Sequence, residues 1–460
     1  MKGHRILTFV LALALLLSLA PLAGAQGEAR ATFSLPTTPA TEGPLAGVDP
    51  TGATVVYWHQ HSGDRETVLN EMVAEFNEGN PWGITVEASN QGGYGDIYEK
   101  MIAGIASGEL PNLVVAYQNN AAAYAQEEAL VDLNIYVDDP QWGLNEAERA
   151  DFIPAIFEQD VNPQFDNARL GFPPNRSMES LYVNLDSLAS LGYDAPPTTW
   201  AEFQEMACAW TQSGEDRVGY SVRTDASFIA AAAFSLGGDI FDYENVEYDY
   251  TGEEVAYVLG ILQDMIEQGC ANRIAENYAD QNDFAAGRNL FYIGSSSGLP
   301  FVASAIAESE AGEFNWTVAP LPYADEQFGQ TTPTQDLYGA SVSIPVTTPE
   351  QQLAAWLFVR WFTEPEQMIR WAQASQYFTP RISVAEQLAA EYLETNPQYA
   401  AAYEVLNASN VKVEPPVASY DPVRRRATEL FNAILDGADV AETLATLTEE
   451  ANQILAEFSM

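Results

Sequence analysis

The chain has 460 residues, 47% of them hydrophobic, and carries 65 acidic against 19 basic side chains for a formal net charge of −46. A field of that sign repels phosphate backbones and anionic headgroups, which makes nucleic acid and acidic membrane surfaces poor partners. The length allows two or three domain-sized cores, and no fixed-period repeat is visible.

In chain order, residues 1–25 read as an export signal: Lys2 and Arg5 are basic, ILTFVLALALLLSLA is apolar, and Ala23-Gly24-Ala25 offers a cleavage site. An uncleaved anchor is the alternative; either way the protein is expected outside the cytoplasm, periplasmic or at the cell surface. Residues 26–52, rich in Pro, Thr, Ala and Gly, read as a flexible spacer. Strand–helix alternation then begins: ATVVYWHQ, RETVLNEMVAEFNEGNP, GITVEASN, YGDIYEKMIAGIASG and NLVVAY are strand, helix, strand, helix and strand. Such spacing predicts parallel βαβ units. The alternation resumes with ESLYVN, TWAEFQEMACAWTQ, TGEEVAYVLGILQDMIEQG and NLFYIG, and the last hundred residues are mostly helical. Ligands collect at the carboxyl ends of parallel strands, so the loops after residues 57, 90, 117, 174, 221 and 293 are where a site is expected.

Cys208 and Cys270 both lie in the exported part, where a pair favours a disulfide; a metal site there has no histidine to help it. No metal or cofactor is expected. Gly294-Ser295-Ser296-Ser297-Gly298 matches a nucleophile elbow between an apolar run and a helix-like segment. A secreted hydrolase using Ser296 would need a base, yet the histidines are His4, His59 and His61, and none follows the serine. His59 and His61 are spaced to point to one side of a strand; metal coordination there would need more ligands close by, so they read better as polar loop residues lining a cleft. Arg424-Arg425-Arg426 could face the permease or anionic headgroups, but reads better as a solvated helix face.

Several stretches taken in order carry a more specific signal: VVYWHQHSG, VAEFNEGNP, YEKMIAGIASGELPNLVVAY, PPNRSMESLYVNLDSLASLGYDAPPTTWAEF, FAAGRNLFYIGSSSG, NWTVAPLP, YGASVSIP and AAWLFVRWFTEPEQMIRWAQASQYFTP. Together they resemble the extracytoplasmic solute-binding proteins of ABC importers, in the carbohydrate branch of maltose- and glycerol-3-phosphate-binding components. The resemblance spans nearly all of residues 53–460. It implies an α/β, type II periplasmic-binding-protein-like fold of two mostly parallel-sheet lobes joined by a hinge, with a helical C-terminal part. The N-lobe would take residues 53–171 plus about 320–370, and the C-lobe 172–319 plus about 371–460. The protein would be a monomer without catalysis, binding a small-molecule sugar and delivering it to the transmembrane subunits of an ABC permease.

Carried over position by position, the resemblance places Trp58, His59, His61, Tyr94, Gln118, Asn119 and Ser177 at the cleft. It adds Arg223, Asp225, Phe228, Ser296, Ser297, Gly339 and Tyr377. Aromatic faces would meet sugar C–H surfaces, and planar polar groups the hydroxyls. Glycerol-3-phosphate binders have an arginine where Val417 falls, so a neutral mono- or oligosaccharide is expected, with a phosphorylated polyol as the alternative.

Overall fold

The computed structural model of the protein describes Leu35 and residues 37–458. The leader expected over residues 1–25 lies outside the described residues. β-branched and aromatic alternation makes Thr54–His59 a strand whose Val55, Tyr57 and His59 are buried. The following helix, Asp64–Gly79, turns Leu69, Met72, Val73 and Phe76 inward at helical spacing. Repetition of this unit gives a four-stranded sheet in the order Ser341–Ser343, Leu113–Ala116, Thr54–His59, Thr85–Asn90. Its strands are parallel except Ser341–Ser343, which arrives from elsewhere in the chain and runs antiparallel.

A second sheet runs in the order Ala271–Arg273, Val218–Val222, Asn289–Ser295, Ser177–Asn184, Thr334–Tyr338, Asn410–Lys412. It is mixed, because Ser177–Asn184 is antiparallel to all three of its neighbours. Every residue of that strand is buried. Its alternation divides two cores: Leu181 and Val183 face one, Met178 and Tyr182 the other. Cys208 and Cys270 form a disulfide that ties the helix Trp200–Gln212 to the start of Ala271–Arg273. Among the described residues no helix is long and apolar enough to cross a membrane.

Two boundaries differ from the sequence reading. Residues 40–52 are not a free spacer: Ala40 and Leu45 are buried in the first core, and Gly52 N donates to Trp82 O at 2.9 Å. Average composition hid the two apolar anchors. Trp371, Val384 and Leu388 also pack in the first core, so the division drawn near residue 370 moves along the chain. The helix Pro365–Ser375 keeps Met368, Trp371 and Ala372 inward and packs on Asp64–Gly79.

The chain passes between cores at Phe172–Met178, Leu337–Ala340 and Ala372–Phe378, and Val384 and Leu388 then return to the first core before Tyr399 joins the other. These crossings are bonded to one another. Arg176 and Phe378 exchange backbone bonds of 3.0 and 2.8 Å, and Ser177 pairs with Tyr338. At their centre Arg176, 0% exposed, donates to Asp160 Oδ2 at 3.2 Å and Ser341 Oγ at 3.0 Å. Asp160 also accepts from Ser341 Oγ at 2.7 Å and from Gln118 Nε2 at 2.8 Å. Gly339 has φ +150°, where a Cβ would come within 3.3 Å of the Arg176 Cα, so only glycine lets the second crossing lie against the first. Breaking a buried pair leaves a charge without its partner or water. Arg176→Ala should therefore cost about 3–5 kcal/mol of stability in chemical denaturation; a loss below about 1 kcal/mol would contradict this role.

Candidate functional site

A cavity of about 510 Å³ opens beside the crossings, with walls from both sheets. From the first come Tyr94, Tyr117, Gln118 and Asn119, at helix starts that follow strands. Gln60 Nε2 donates to the Tyr94 hydroxyl at 2.8 Å, and the Tyr94 and Tyr117 rings meet edge-on at 4.8 Å. The crossings supply Ser177, Gly339 and Tyr377.

The opposite wall is charged, and its charges are paired. Arg223 makes a two-point contact with Asp280, Nε to Oδ2 at 3.0 Å and Nη2 to Oδ1 at 2.9 Å. Asp225 caps the helix Ala226–Ser235 through Ser227 N at 2.8 Å and also accepts from Arg424 at 3.2 Å. Arg424, near the start of the helix Tyr420–Leu435, bonds Glu414 as well. Glu414 accepts further bonds from Ser227 Oγ at 2.6 Å and the Tyr420 hydroxyl at 2.5 Å. Deeper in, Glu179 accepts from the Tyr338 hydroxyl at 2.5 Å. Burial pushes its carboxyl up to about 7, against the pull of that hydrogen bond. Behind it Asp336, fully buried with neither oxygen hydrogen-bonded, is held well above the carboxylate range by desolvation, with Glu414 and Glu179 adding to the effect.

Tyr94, Gln118, Asn119, Ser177, Arg223, Asp225, Phe228, Ser297, Gly339 and Tyr377 thus line one cavity. Phe228 is mostly wall: its ring stacks on Phe431 at 5.8 Å and meets Trp200. Trp58, His59, His61 and Ser296 do not line the cavity. Trp58 packs on the first core. His59 and His61 stack on each other at 5.7 Å, and His61 abuts Trp371 at 4.8 Å. Burial lowers the His59 imidazole to about 4 and that of His61 well below its usual value, so both are neutral core groups. The strand's inward alternation carries His59 beneath the sheet end, not over it. Ser296 is 1% exposed, and its Oγ accepts from Met178 N at 3.1 Å. It binds the neighbouring strand. Among the described residues no three His, Cys, Asp or Glu groups could hold a metal.

Residues missed by sequence reasoning include Tyr117, Glu179, Tyr278, Glu414, Tyr420 and Arg424. Arg424 had a signal: Tyr420-Asp421-Pro422 marks a helix start, with the acid and the proline in its first turn, and so puts Arg424 near the end that faces the cavity. Of the basic run, only Arg425 behaves as a solvated residue, pairing with Asp421, while Arg426 reaches Glu450 and Glu429.

The chain matches known proteins over most of its length. A family model described as bacterial extracellular solute-binding protein matches residues 71–401. The sn-glycerol-3-phosphate-binding periplasmic protein UgpB of Brucella abortus is 22% identical over 410 residues, covering 85% of this chain and 90% of its own. Among solved structures, UgpB of Mycobacterium tuberculosis in complex with glycerophosphocholine superposes with TM-score 0.74 at 20% identity, covering 89% of this chain and 100% of that one. The cyclic alpha-maltosyl-1,6-maltose binding protein of Arthrobacter globiformis gives 0.71 at 22% identity, covering 88% and 99%.

The Glu179 shift has a sign that can be tested. Its folded value of about 7 lies above the ordinary 4.5, so the unfolded chain loses that proton first and stability falls as pH rises through this window. Glu179→Gln should therefore gain melting temperature over the parent at pH 8 and much less at pH 5. A difference independent of pH would contradict the assignment.

Proposed function

The chain belongs to the bacterial extracellular solute-binding proteins, and on that premise we propose that it captures a neutral mono- or oligosaccharide between its lobes and delivers it to the permease of an ABC importer. The observation that carries this reading is the prior pairing of both cleft arginines, Arg223 with Asp280 and Arg424 with Glu414 and Asp225. A phosphate ester needs a cation free to meet it. Here Glu179, Asp225, Glu414 and Asp421 outnumber Arg223 and Arg424 on the wall, and the whole chain is at −46.

What remains on offer suits hydroxyl groups. Gln118 and Asn119 present amides, the paired carboxylates keep lone pairs, and a protonated Glu179 both donates and accepts. Tyr94, Tyr117, Tyr278 and Tyr377 add aromatic rings to the lining. The volume of about 510 Å³ sits within the roughly 300–1,000 Å³ of small-molecule clefts. The relatives divide over substrate: one is described as binding a cyclic maltosyl-maltose, the others a glycerol phosphate and glycerophosphocholine. The paired arginines favour the first kind. We assign no catalytic step, because Ser296 is committed to a backbone amide. On this reading the protein acts as a monomer, exported by its leader and docked on the permease when loaded.

Calorimetric titration of residues 26–460 with glucose, maltose, maltotriose and sn-glycerol-3-phosphate tests the reading. At least one neutral sugar should bind, with a dissociation constant that changes less than about twofold between low and high salt. Tyr94→Ala and Tyr117→Ala should each weaken it by about tenfold, on the scale of one aromatic contact. Binding of the phosphate ester alone, weakening steeply with salt, would overturn the choice of substrate.

A further inference from the structure

Where the lobes meet outside the cavity, one buried cation pairs with no acid among the described residues. Arg65, in the first turn of the helix Asp64–Gly79, is 8% exposed, and no carboxylate among the described residues pairs with it. Its Nη2 donates to two carbonyl oxygens, Ser297 O across the junction and Ser375 O at 2.6 Å. Its guanidinium carbon lies 4.8 Å from the Phe301 ring centre and 4.6 Å from that of Tyr377. Nε is buried without a partner.

These contacts come from three places. Arg65 and Ser375 sit on first-lobe helices that pack together. Ser297 and Phe301 belong to the second lobe, at the entry to the helix Leu299–Glu308. Tyr377 lies on the third crossing and lines the cavity. One planar group therefore touches both lobes and two cavity residues, Ser297 and Tyr377, at once.

We propose that Arg65 is the latch of the cleft, a positioning residue that holds the Ser297 loop on the first lobe and sets the Tyr377 ring against the cavity. The chemistry suits a reversible hold. A guanidinium offers in-plane donors to carbonyls and its faces to rings, which an ammonium cannot do together. A carboxylate opposite it would lock the lobes. Carbonyls and rings give a contact that opening can exchange for water. Because Tyr377 is shared between latch and cavity, shutting the junction and finishing the binding surface become one event.

Only the choice of ligand here rests on the solute-binding reading; the hold between lobes can be measured without one. Hydrogen exchange on the unliganded mature protein should show amides at the start of the helix Leu299–Glu308 exchanging several-fold faster in Arg65→Met than in the parent. Arg65→Lys should fall between. Phe301→Ala, at a ring 44% exposed and so tolerant of truncation, removes the ring part of the contact from the other lobe and serves if Arg65→Met does not fold. With maltotriose as probe, stopped-flow dissociation should quicken at least about tenfold in Arg65→Met, with association changed less than about threefold. Equal exchange in parent and variants, or dissociation unchanged where maltotriose binds, would overturn the latch. Failure of maltotriose and every other sugar to bind the parent would sink the substrate reading alone, and the exchange result would still decide the latch.

Discussion

The structure turns on a guanidinium that water cannot reach. Arg176 sits at 0% exposure where the chain crosses between lobes, clasped by Asp160, Ser341 and the carbonyl of its own neighbour, Asn175. Burying that charge is tolerable only because the donors are matched, and the matching requires the crossings to lie at hydrogen-bond distance. Gly339 permits that approach, and Gly171 does the same beside Asp160, where a Cβ would fall 2.9 Å from that of Ser341. The lobes consequently share a narrow, ordered waist. Gln118, bonded to Asp160 at 2.8 Å, extends this network to the cavity wall.

From that waist the cleft acquires its two unlike walls. One is a pair of helix starts carrying tyrosine and amide groups, the other a net of carboxylates and arginines already satisfied by each other. Pairing the charges in advance keeps a very acidic protein from needing a counter-ion in its cleft. It also leaves groups with hydrogen-bonding valence to spare. A buried carboxyl such as Glu179, titrating near neutrality, contributes in the same way. On the function proposed above, charge builds a polar surface more than it attracts a charged ligand.

Much of the fold was legible because burial imposes periodicity. Val55, Tyr57 and His59 alternate inward on a strand, and Leu69, Met72, Val73 and Phe76 recur at helical spacing. The candidate site was legible where a loop follows a strand, as at Tyr94, Gln118 and Arg223. It failed where one residue of register decides between cavity and core. His59 belongs to the buried face of its strand, and Ser296 turns from the cavity to Met178 N, whereas Ser297 beside it lines the wall. Arg424 was missed for another reason. Its partners Asp225 and Glu414 are 199 and 10 residues away, and only the folded chain shows that a basic run is divided among three separate tasks.

On the function proposed above, the cleft takes a neutral polyhydroxyl solute without disturbing its internal ion pairs. A crystal structure of residues 26–460 grown with maltotriose, or with whichever neutral sugar binds, tests this at the atoms concerned. The expected result is a sugar touching Tyr94 or Gln118 on one side and Glu414 or Arg424 on the other, with the Arg223–Asp280 and Arg424–Glu414 pairs intact. A sugar bound outside the cleft, or an anion seated on an Arg424 released from Glu414, would contradict it.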